Sequence, residues 1–192
     1  AIREAIKKSG PKKVRTRNIV CSLPETKAFL RIINIPKMEE KEAKEAIKWE
    51  IEANIPISID QVYYDWQILS RSFEGKKDKM SVLVVAVSQK IVDQFIDVME
   101  AAGLTVIGME IESIAQTHSL LSEKGEEKTV LVIDSGDRRT SFSISIGSIP
   151  CFTSSIPLSS QTITDSIAKS FNLPFEEAEK IKLTNGIGSY IK

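Results

Sequence analysis

The sequence predicts an α/β fold. Apolar runs of strand length alternate with segments of helical period along the 192 residues, and no internal repeat or low-complexity stretch interrupts them. The segment Ser81–Val87 is apolar almost throughout, as is expected of a central strand covered on both faces. This alternation favours sheets with helices packed against them over an all-helical or an all-β fold.

The composition is that of an ordinary globular chain and excludes several classes of function. Hydrophobic residues make up 42% of the chain, and 26 Lys and Arg balance 26 Asp and Glu, so no basic surface for nucleic acid is expected. No apolar run approaches the about 20 residues needed to cross a membrane. Cys21 and Cys151 lie in separate segments, which predicts reduced thiols and no metal site.

The N-terminal segments predict a helix followed by a β-hairpin. Residues 1–8 have helical character and precede a Ser-Gly-Pro segment at 9–11, where we expect the helix to end with a glycine cap. Two strand-like runs, Asn18–Leu23 and Ala28–Ile35, flank the short segment Pro24–Lys27. Because short linkers with turn residues join antiparallel neighbours, we predict that the two runs form a hairpin.

The middle of the chain predicts a compact unit of helices and strands. Residues 38–54 carry apolar side chains at three- and four-residue steps and end before Pro56, as an amphipathic helix should. Val62–Ile68 alternates apolar and polar residues, and a polar loop at 71–79 leads to the apolar strand. We expect one core in which that strand packs against two helical faces, represented by Ile47, Ile51, Phe95 and Met99.

Ser88 and Gly103 bracket the next predicted helix, as N-cap and as C-terminal glycine. Residues 104–111 predict another strand, and a short helix with His118 follows. Since His118 is the single histidine and has no acidic or cysteine neighbour at ligand spacing, we interpret it as a structural residue on an apolar stripe. The polar segment at 122–128 is the predicted domain boundary.

The stretch at 129–145 is the strongest candidate for a functional site. An apolar run ends on Asp134, Ser135-Gly136 begins a tight turn, and a second alternating strand starts at Thr140. Backbone amides of such a turn can cradle phosphate, and the carboxylate can hold the water shell of a magnesium ion. The alternative interpretation is a plain hairpin turn, because turns favour Asp and Gly in any case.

The C-terminal segments predict one more strand and two helices. The strand covers 151–158, and the first helix aligns Ile163, Ile167 and Phe171 on one stripe. The second helix has Pro174 in its first turn and acidic residues near its start. It is expected to end before the Asn-Gly pair at 185–186.

Several short motifs follow one another along nearly the whole chain. They are, in chain order, Pro36-Lys37-Met38, Trp49-Glu50, Ile55-Pro56, Tyr64-Asp65, Val84–Val87, Ala102-Gly103-Leu104, Met109–Glu112, VLVIDSG at 130–136 and PFEEAEKIK at 174–182 before Gly186. Their order resembles that of the PilM family of type IV pilus assembly proteins. The resemblance implies a partial actin-like ATPase fold of the ribonuclease H-like type, similar to the cell-division protein FtsA.

The same resemblance implies a division into subdomains. Residues 1–35 correspond to part of subdomain 1A, 36–103 to the small inserted α+β subdomain 1C, 104–128 to the return into 1A, and 129–192 to the start of subdomain 2A. On that pattern, a first phosphate loop precedes Ala1 and further nucleotide-binding elements follow Lys192. We therefore expect the chain to be an internal part of a longer protein.

The resemblance also assigns roles in nucleotide binding. Asp134, Gly136, Thr140 and Ser141 correspond to residues that bind the nucleotide phosphates and their magnesium ion. Between them, Asp137-Arg138-Arg139 replaces small residues, and Ser159-Ser160 replaces an expected glycine pair. We therefore expect ATP and Mg²⁺ as cofactors of the intact protein only, with no tight binding by this chain and at most weak ATPase activity. No catalytic residue is assigned, and no bound metal is expected.

The function implied is that of a cytoplasmic adaptor in type IV pilus assembly. Its expected partner is the cytoplasmic tail of a PilN-like inner-membrane protein, which places it at the inner face of that membrane; other pilus assembly proteins and self-association are further expectations. A cleft between Asn18–Ile35 and the inserted subdomain is the expected binding place, with peptide-induced amide shifts within 14–56. The alternatives are an actin-like ATPase or kinase, an FtsA-like protein, and the cytoplasmic domain of a type II secretion protein.

Overall fold

The computed structural model describes residues 1–55, 57–69, 78–121 and 128–186, which form two compact units. The first unit is Ala1–Ser122 and the second is Glu123–Lys192. Most of the loop predicted at 71–79, Pro56 of the Ile-Pro landmark, and most of the polar segment at 122–128 lie outside the described residues.

The first unit follows the predicted order of helices and strands closely. Its helices are α1 (Ile2–Lys8), α2 (Glu40–Asn54), α3 (Gln89–Ala101) and α4 (Glu112–Leu120). Its strands are β1 (Asn18–Leu23), β2 (Ala28–Pro36), β3 (Val62–Ile68), β4 (Lys79–Ser88) and β5 (Thr105–Ile111).

Strand β4 is central in an antiparallel sheet with the order β2-β4-β3. In register, Ala28 lies opposite Val87 on one side, and Tyr64 lies opposite Ala86 on the other. The prediction of a central strand from the apolar run is therefore confirmed. Because both of its edges are paired, its backbone polar groups are satisfied within the sheet.

The two faces of β4 belong to two different hydrophobic cores. Val82 and Val84 point to one face and pack with Ile47 and Ile51 of α2. Val87 packs on the opposite face with Val92 of α3 and with residues of β1, β5 and α4, and Phe95 borders that second core. The expectation of one shared core is wrong, since side chains along a strand alternate between its faces.

The predicted hairpin between β1 and β2 is also wrong. β1 pairs in parallel with β5, whereas β2 pairs antiparallel with β4, so the two strands enter different sheets. A 3₁₀ turn at Glu25–Lys27 connects them, and its Glu25 N–H donates to Glu112 Oε2 over 3.1 Å. In return, Ser113 N–H donates to Glu25 Oε2 over 3.3 Å, which fixes the turn against the start of α4.

The helices end close to the predicted positions, but only some of the predicted capping interactions form. α1 ends at Ser9, whose hydroxyl donates to Ile6 O over 2.8 Å, so the expected glycine cap is absent there. Ser88 occupies the N-cap position of α3, but its side chain makes no capping hydrogen bond. Gly103 has φ +82°, the left-handed conformation that closes α3 as predicted.

The second unit is an antiparallel sheet followed by two helices. Its elements are β6 (Thr129–Ser135), β7 (Thr140–Ile146), β8 (Ile149–Ile156), α5 (Ser160–Phe171) and α6 (Phe175–Asn185), with sheet order β6-β7-β8. The predicted hairpin of β6 and β7 is confirmed. On α5, Thr164 is buried while Phe171 is 69% exposed, so the apolar stripe is not the face that α5 buries here.

Candidate functional site

The turn after β6 is closed by its own backbone. Gly136 N–H donates to Arg139 O over 2.9 Å. A Cβ at position 136 would lie 3.1 Å from the same carbonyl oxygen, tighter than ordinary van der Waals contact. Glycine at 136 is therefore explained by the close approach of the two backbone segments.

The start of α5 is bound to this turn. Ser160 N–H donates to Gly136 O over 3.0 Å, and Gln161 N–H donates to Asp137 O over 3.1 Å. Ser159 caps the helix, since its Oγ accepts the Thr162 N–H over 3.2 Å in a capping box. The amides that a helix start usually offers to an anion thus already have protein partners.

The four predicted phosphate residues all lie at this end of the sheet. Asp134 and Ser141 are opposite one another in the β6–β7 register, and Gly136 is in the turn that joins these strands. Thr140 is buried, and its hydroxyl donates to Leu158 O over 2.7 Å, so it ties β7 to the segment before α5. The structure brings the four residues together, but it gives the Thr140 hydroxyl and the Gly136 amide structural partners.

A cavity of about 660 Å³ opens beside the same turn, between α5 and α6. Lys182 on its wall donates to Ser160 Oγ over 2.6 Å and to Thr164 Oγ1 over 2.8 Å. Its ammonium also lies 2.7 Å from Glu179 Oε2, and the Thr164 hydroxyl donates to the same oxygen. The hydrogen bonds from Lys182 and Thr164 hold the pKa of Glu179 below its usual value. The sequence analysis counted Glu179 among the acidic residues near the start of α6 and did not pair it with Lys182, although their i,i+3 spacing places them on one side of that helix.

The first unit contains a separate apolar groove of about 400 Å³. Buried side chains from four elements form its floor: Leu23 of β1, Val87 of β4, Val92 of α3 and Ile111 of β5. The rest of the lining comes from β3, β4, β5 and α4, through Tyr63, Tyr64, Asp65, Gln67, Val85, Met109, Glu110 and Ile114.

The position of this groove corrects the predicted cleft. Of the segment 14–56, only Leu23 contributes to the lining. The hairpin that was expected to form one wall does not exist, and β5, which pairs with β1, takes its place. The aromatic residues of β3 could have suggested this wall, because alternate positions of an edge strand leave half of its side chains outside the main core.

The rim of the groove is polar and acidic. Tyr63 is 49% exposed, and its hydroxyl donates to Asp93 Oδ1 of α3 over 3.3 Å. The nearby Asp93 carboxylate raises the pKa of Tyr63. Glu110 Oε1 lies 3.5 Å from Nδ1 of His118, whose side chain is 50% exposed. The predicted place of His118 on an apolar stripe is therefore wrong, because α4 buries Ser113 and Thr117 instead; its role as a structural residue stays a prediction.

The described residues contain neither a metal-binding cluster nor a membrane-spanning helix. Within them, no group of three or more His, Cys, Asp or Glu residues is arranged to hold a metal ion. None of the helices in the described ranges is long and apolar enough to cross a membrane.

Comparison with known proteins identifies a family and a structural match. The family model described as type IV pilus assembly protein PilM matches residues 1–191. A solved structure, the PilM–PilN type IV pilus biogenesis complex, contains a chain that is 31% identical with a TM-score of 0.74. The match covers 90% of this chain and 52% of the solved one.

Two further relatives support the fold class. FtsA of Borreliella burgdorferi is 35% identical over 86 residues, which is 45% of this chain and 21% of that protein. The cytoplasmic domain of EpsL, an inner-membrane component of the type II secretion system of Vibrio cholerae, is 13% identical with a TM-score of 0.53, over 90% of this chain and 61% of that one. The chain thus spans about a fifth of this FtsA relative and about half of the PilM chain. The predicted actin-like fold is confirmed, and the FtsA and secretion-protein alternatives are not favoured, because the PilM model matches nearly the whole chain.

Proposed function

Because the chain belongs to the PilM family of type IV pilus assembly proteins, we propose that it acts as a cytoplasmic adaptor that binds the tail of a PilN-like inner-membrane protein. The groove of about 400 Å³ in the first unit is the observation that carries this proposal. A bound tail would hold the adaptor at the inner face of the membrane. The proposal also includes contacts between this adaptor and other pilus assembly proteins.

The shape of the groove suits an extended peptide. Its floor is apolar, so it can bury two or three aliphatic side chains of a partner, each contributing about 1.5–3 kcal/mol. On one side lies β3, which pairs only with β4 among the described strands. A peptide in the groove can therefore gain backbone hydrogen bonds from the outer edge of β3 as well as side-chain burial.

A second surface supports the proposal of self-association or of further pilus partners. Trp49 on α2 is 71% exposed, far from what is usual for so large an apolar side chain. Exposed tryptophans at interfaces often supply a large part of the binding energy. Trp49 therefore gives a specific residue with which to test these additional contacts.

Nucleotide dependence is a second proposal, for the intact protein. It is favoured by the cavity of about 660 Å³ beside the turn of Asp134 and Gly136. The described turn by itself does not fit a phosphate group at the start of α5, because its amides and the Thr140 hydroxyl are already bonded. We therefore assign no step of the adaptor function to ATP.

A titration with a synthetic peptide tests the adaptor function. The N-terminal cytoplasmic tail of the PilN-like protein from the same organism is added to the isotope-labelled chain, and amide shifts are expected in β3, β4, β5 and α4. Met109→Trp, which fills the groove, should weaken binding by about tenfold or more. Ile107→Trp is the matched control, since Ile107 is on the same strand, 65% exposed and outside the lining. A tail that shifts no groove amides overturns the proposal.

A further inference from the structure

The groove has a charge pattern that its apolar floor does not explain. Among the described residues that line it are two carboxylates, Asp65 and Glu110, and no lysine, arginine or histidine. They come from β3 and β5, so they are contributed by two separate strands. A third carboxylate, Asp93, stands at the rim and is held there by Tyr63.

Building on the proposed adaptor function, we propose that the groove selects a partner segment in which an arginine accompanies the apolar anchors. The carboxylates of Asp65 and Glu110 receive the guanidinium, while aliphatic side chains of the same segment enter the floor. The charges are complementary, so the carboxylates also orient the segment along the groove.

Arginine fits this place better than lysine for two reasons. Its planar group carries five N–H donors, so it can bond with two carboxylates at once, whereas an ammonium acts as a point charge. The ring of Tyr63 is on the groove side of β3, and a guanidinium stacks on aromatic faces. Because a guanidinium is weakly hydrated, less free energy is lost when it leaves water for a partly apolar site.

Asp65 and Glu110 make different contacts with their neighbours. These contacts determine which substitution removes the charge at each position with least disturbance. Asp65 Oδ1 accepts the N–H of Trp66 over 2.8 Å, and an asparagine keeps that acceptor. Glu110 lies beside His118, so Glu110→Gln removes the charge while it retains an oxygen toward the imidazole. Asp65→Asn and Glu110→Gln therefore change charge with little change in shape.

The test measures affinity for the tail peptide by calorimetry, with wild-type chain, the two single variants and the double variant. Asp97→Asn and Glu100→Gln on the exposed side of α3 are matched controls, since neither residue lines the groove. Each groove variant should lose about tenfold in affinity, and the controls should stay within about twofold. Raising NaCl from about 50 mM to about 500 mM should weaken the wild type more than the double variant. Circular dichroism spectra show whether every variant is folded.

The peptide is varied in parallel. Replacement of each arginine by citrulline, its neutral isostere, should reduce affinity for the wild type but not for the double variant. Glu110→Arg should regain affinity for a peptide whose arginine is changed to glutamate. If the tail binds wild type and double variant equally, or if it binds without any arginine, the inference is wrong while the adaptor proposal stands. If the unmodified tail does not bind the wild type, the adaptor proposal itself fails.

Discussion

The hydroxyl of Tyr63 lies 3.3 Å from Oδ1 of Asp93, so an edge strand and a helix are joined at the rim of the groove. The two residues are 30 positions apart in the chain. The contact fixes a partly exposed aromatic ring over a floor that would otherwise be open. Because the Asp93 carboxylate is close, it raises the pKa of Tyr63, and this gives a spectroscopic signal for the geometry.

We predict that Asp93→Asn lowers the pKa of Tyr63 toward the ordinary tyrosine value of about 10. A carboxylate next to a phenol disfavours the tyrosinate, and an amide does not. An alkaline titration followed by tyrosinate absorbance measures the change, with Asp97→Asn as the control for loss of a charge elsewhere on α3. An unchanged Tyr63 titration would show that the two side chains are apart in solution. Since Tyr63 is about half exposed, we expect little change in the free energy of unfolding.

The two cores on either side of β4 predict additive destabilisation. Ile47 is fully buried beside Val82 and Val84, whereas Phe95 borders the core around Val87. Ile47→Ala should cost about 2–5 kcal/mol, and Phe95→Ala about 3 kcal/mol. The double variant should lose the sum within about 0.5 kcal/mol, because the two sites share no contact. Urea unfolding followed by tryptophan fluorescence reports this, since both tryptophans, Trp49 and Trp66, are in the first unit.

Two substitutions within one core serve as the comparison for this test of additivity. Ile47 and Ile51 lie one helical turn apart in the same cluster, so Ile47→Ala and Ile51→Ala should not be additive. A coupling above about 1 kcal/mol between Ile47 and Phe95 would instead restore the single core that the sequence suggested.

The depressed pKa of Glu179 predicts acid sensitivity of the second unit. The group binds its proton less readily in the folded state, so its contribution is present above the unfolded pKa of about 4.3 and is lost as the pH falls through the lower folded value. Glu179→Gln should lower protection of α5 and α6 at neutral pH and flatten the loss of protection below about pH 4. Amide hydrogen exchange measures both effects. Glu177→Gln is the matched control, because Glu177 is exposed in the first turn of the same helix; an equal effect in that variant would contradict the assignment.

The sequence predicted the helices and strands much better than it predicted which strands pair with one another. Local patterns determined β3, β4 and the hairpin of β6 and β7, because alternation and turn residues act over a few positions. The pairing of β1 with β5 joins residues more than 80 positions apart, such as Asn18 and Thr105, and no local pattern encodes it. The same limit hid the groove, whose lining spans Leu23 to Ile114.

The sequence predicted that the four candidate phosphate residues lie together, and they do; their binding of phosphate stays a prediction. These residues could be named from the Asp-x-Gly turn and its hydroxyls. The competing partners could not, since the Thr140 hydroxyl is bonded to Leu158 O, 18 positions away. Likewise, the bond between the Ser160 amide and Gly136 O depends on how α5 packs back onto the turn. Motif residues therefore indicated the site, and only the fold showed which of their polar atoms are already engaged.

The last prediction concerns Mg-ATP and the isolated chain of 192 residues. We expect no saturable binding at micromolar concentration in a calorimetric titration. Phosphate would have to displace Gly136 O and Asp137 O from the first amides of α5, and each broken bond costs about 0.5–1.5 kcal/mol. Arg138 and Arg139 supply positive charge nearby, so weak binding that disappears at about 500 mM salt would be ionic attraction without a formed site. Arg138→Gln should reduce this weak, salt-sensitive binding. Tight, salt-resistant binding abolished by Asp134→Asn would contradict the prediction, and it would show that the turn opens to admit the nucleotide.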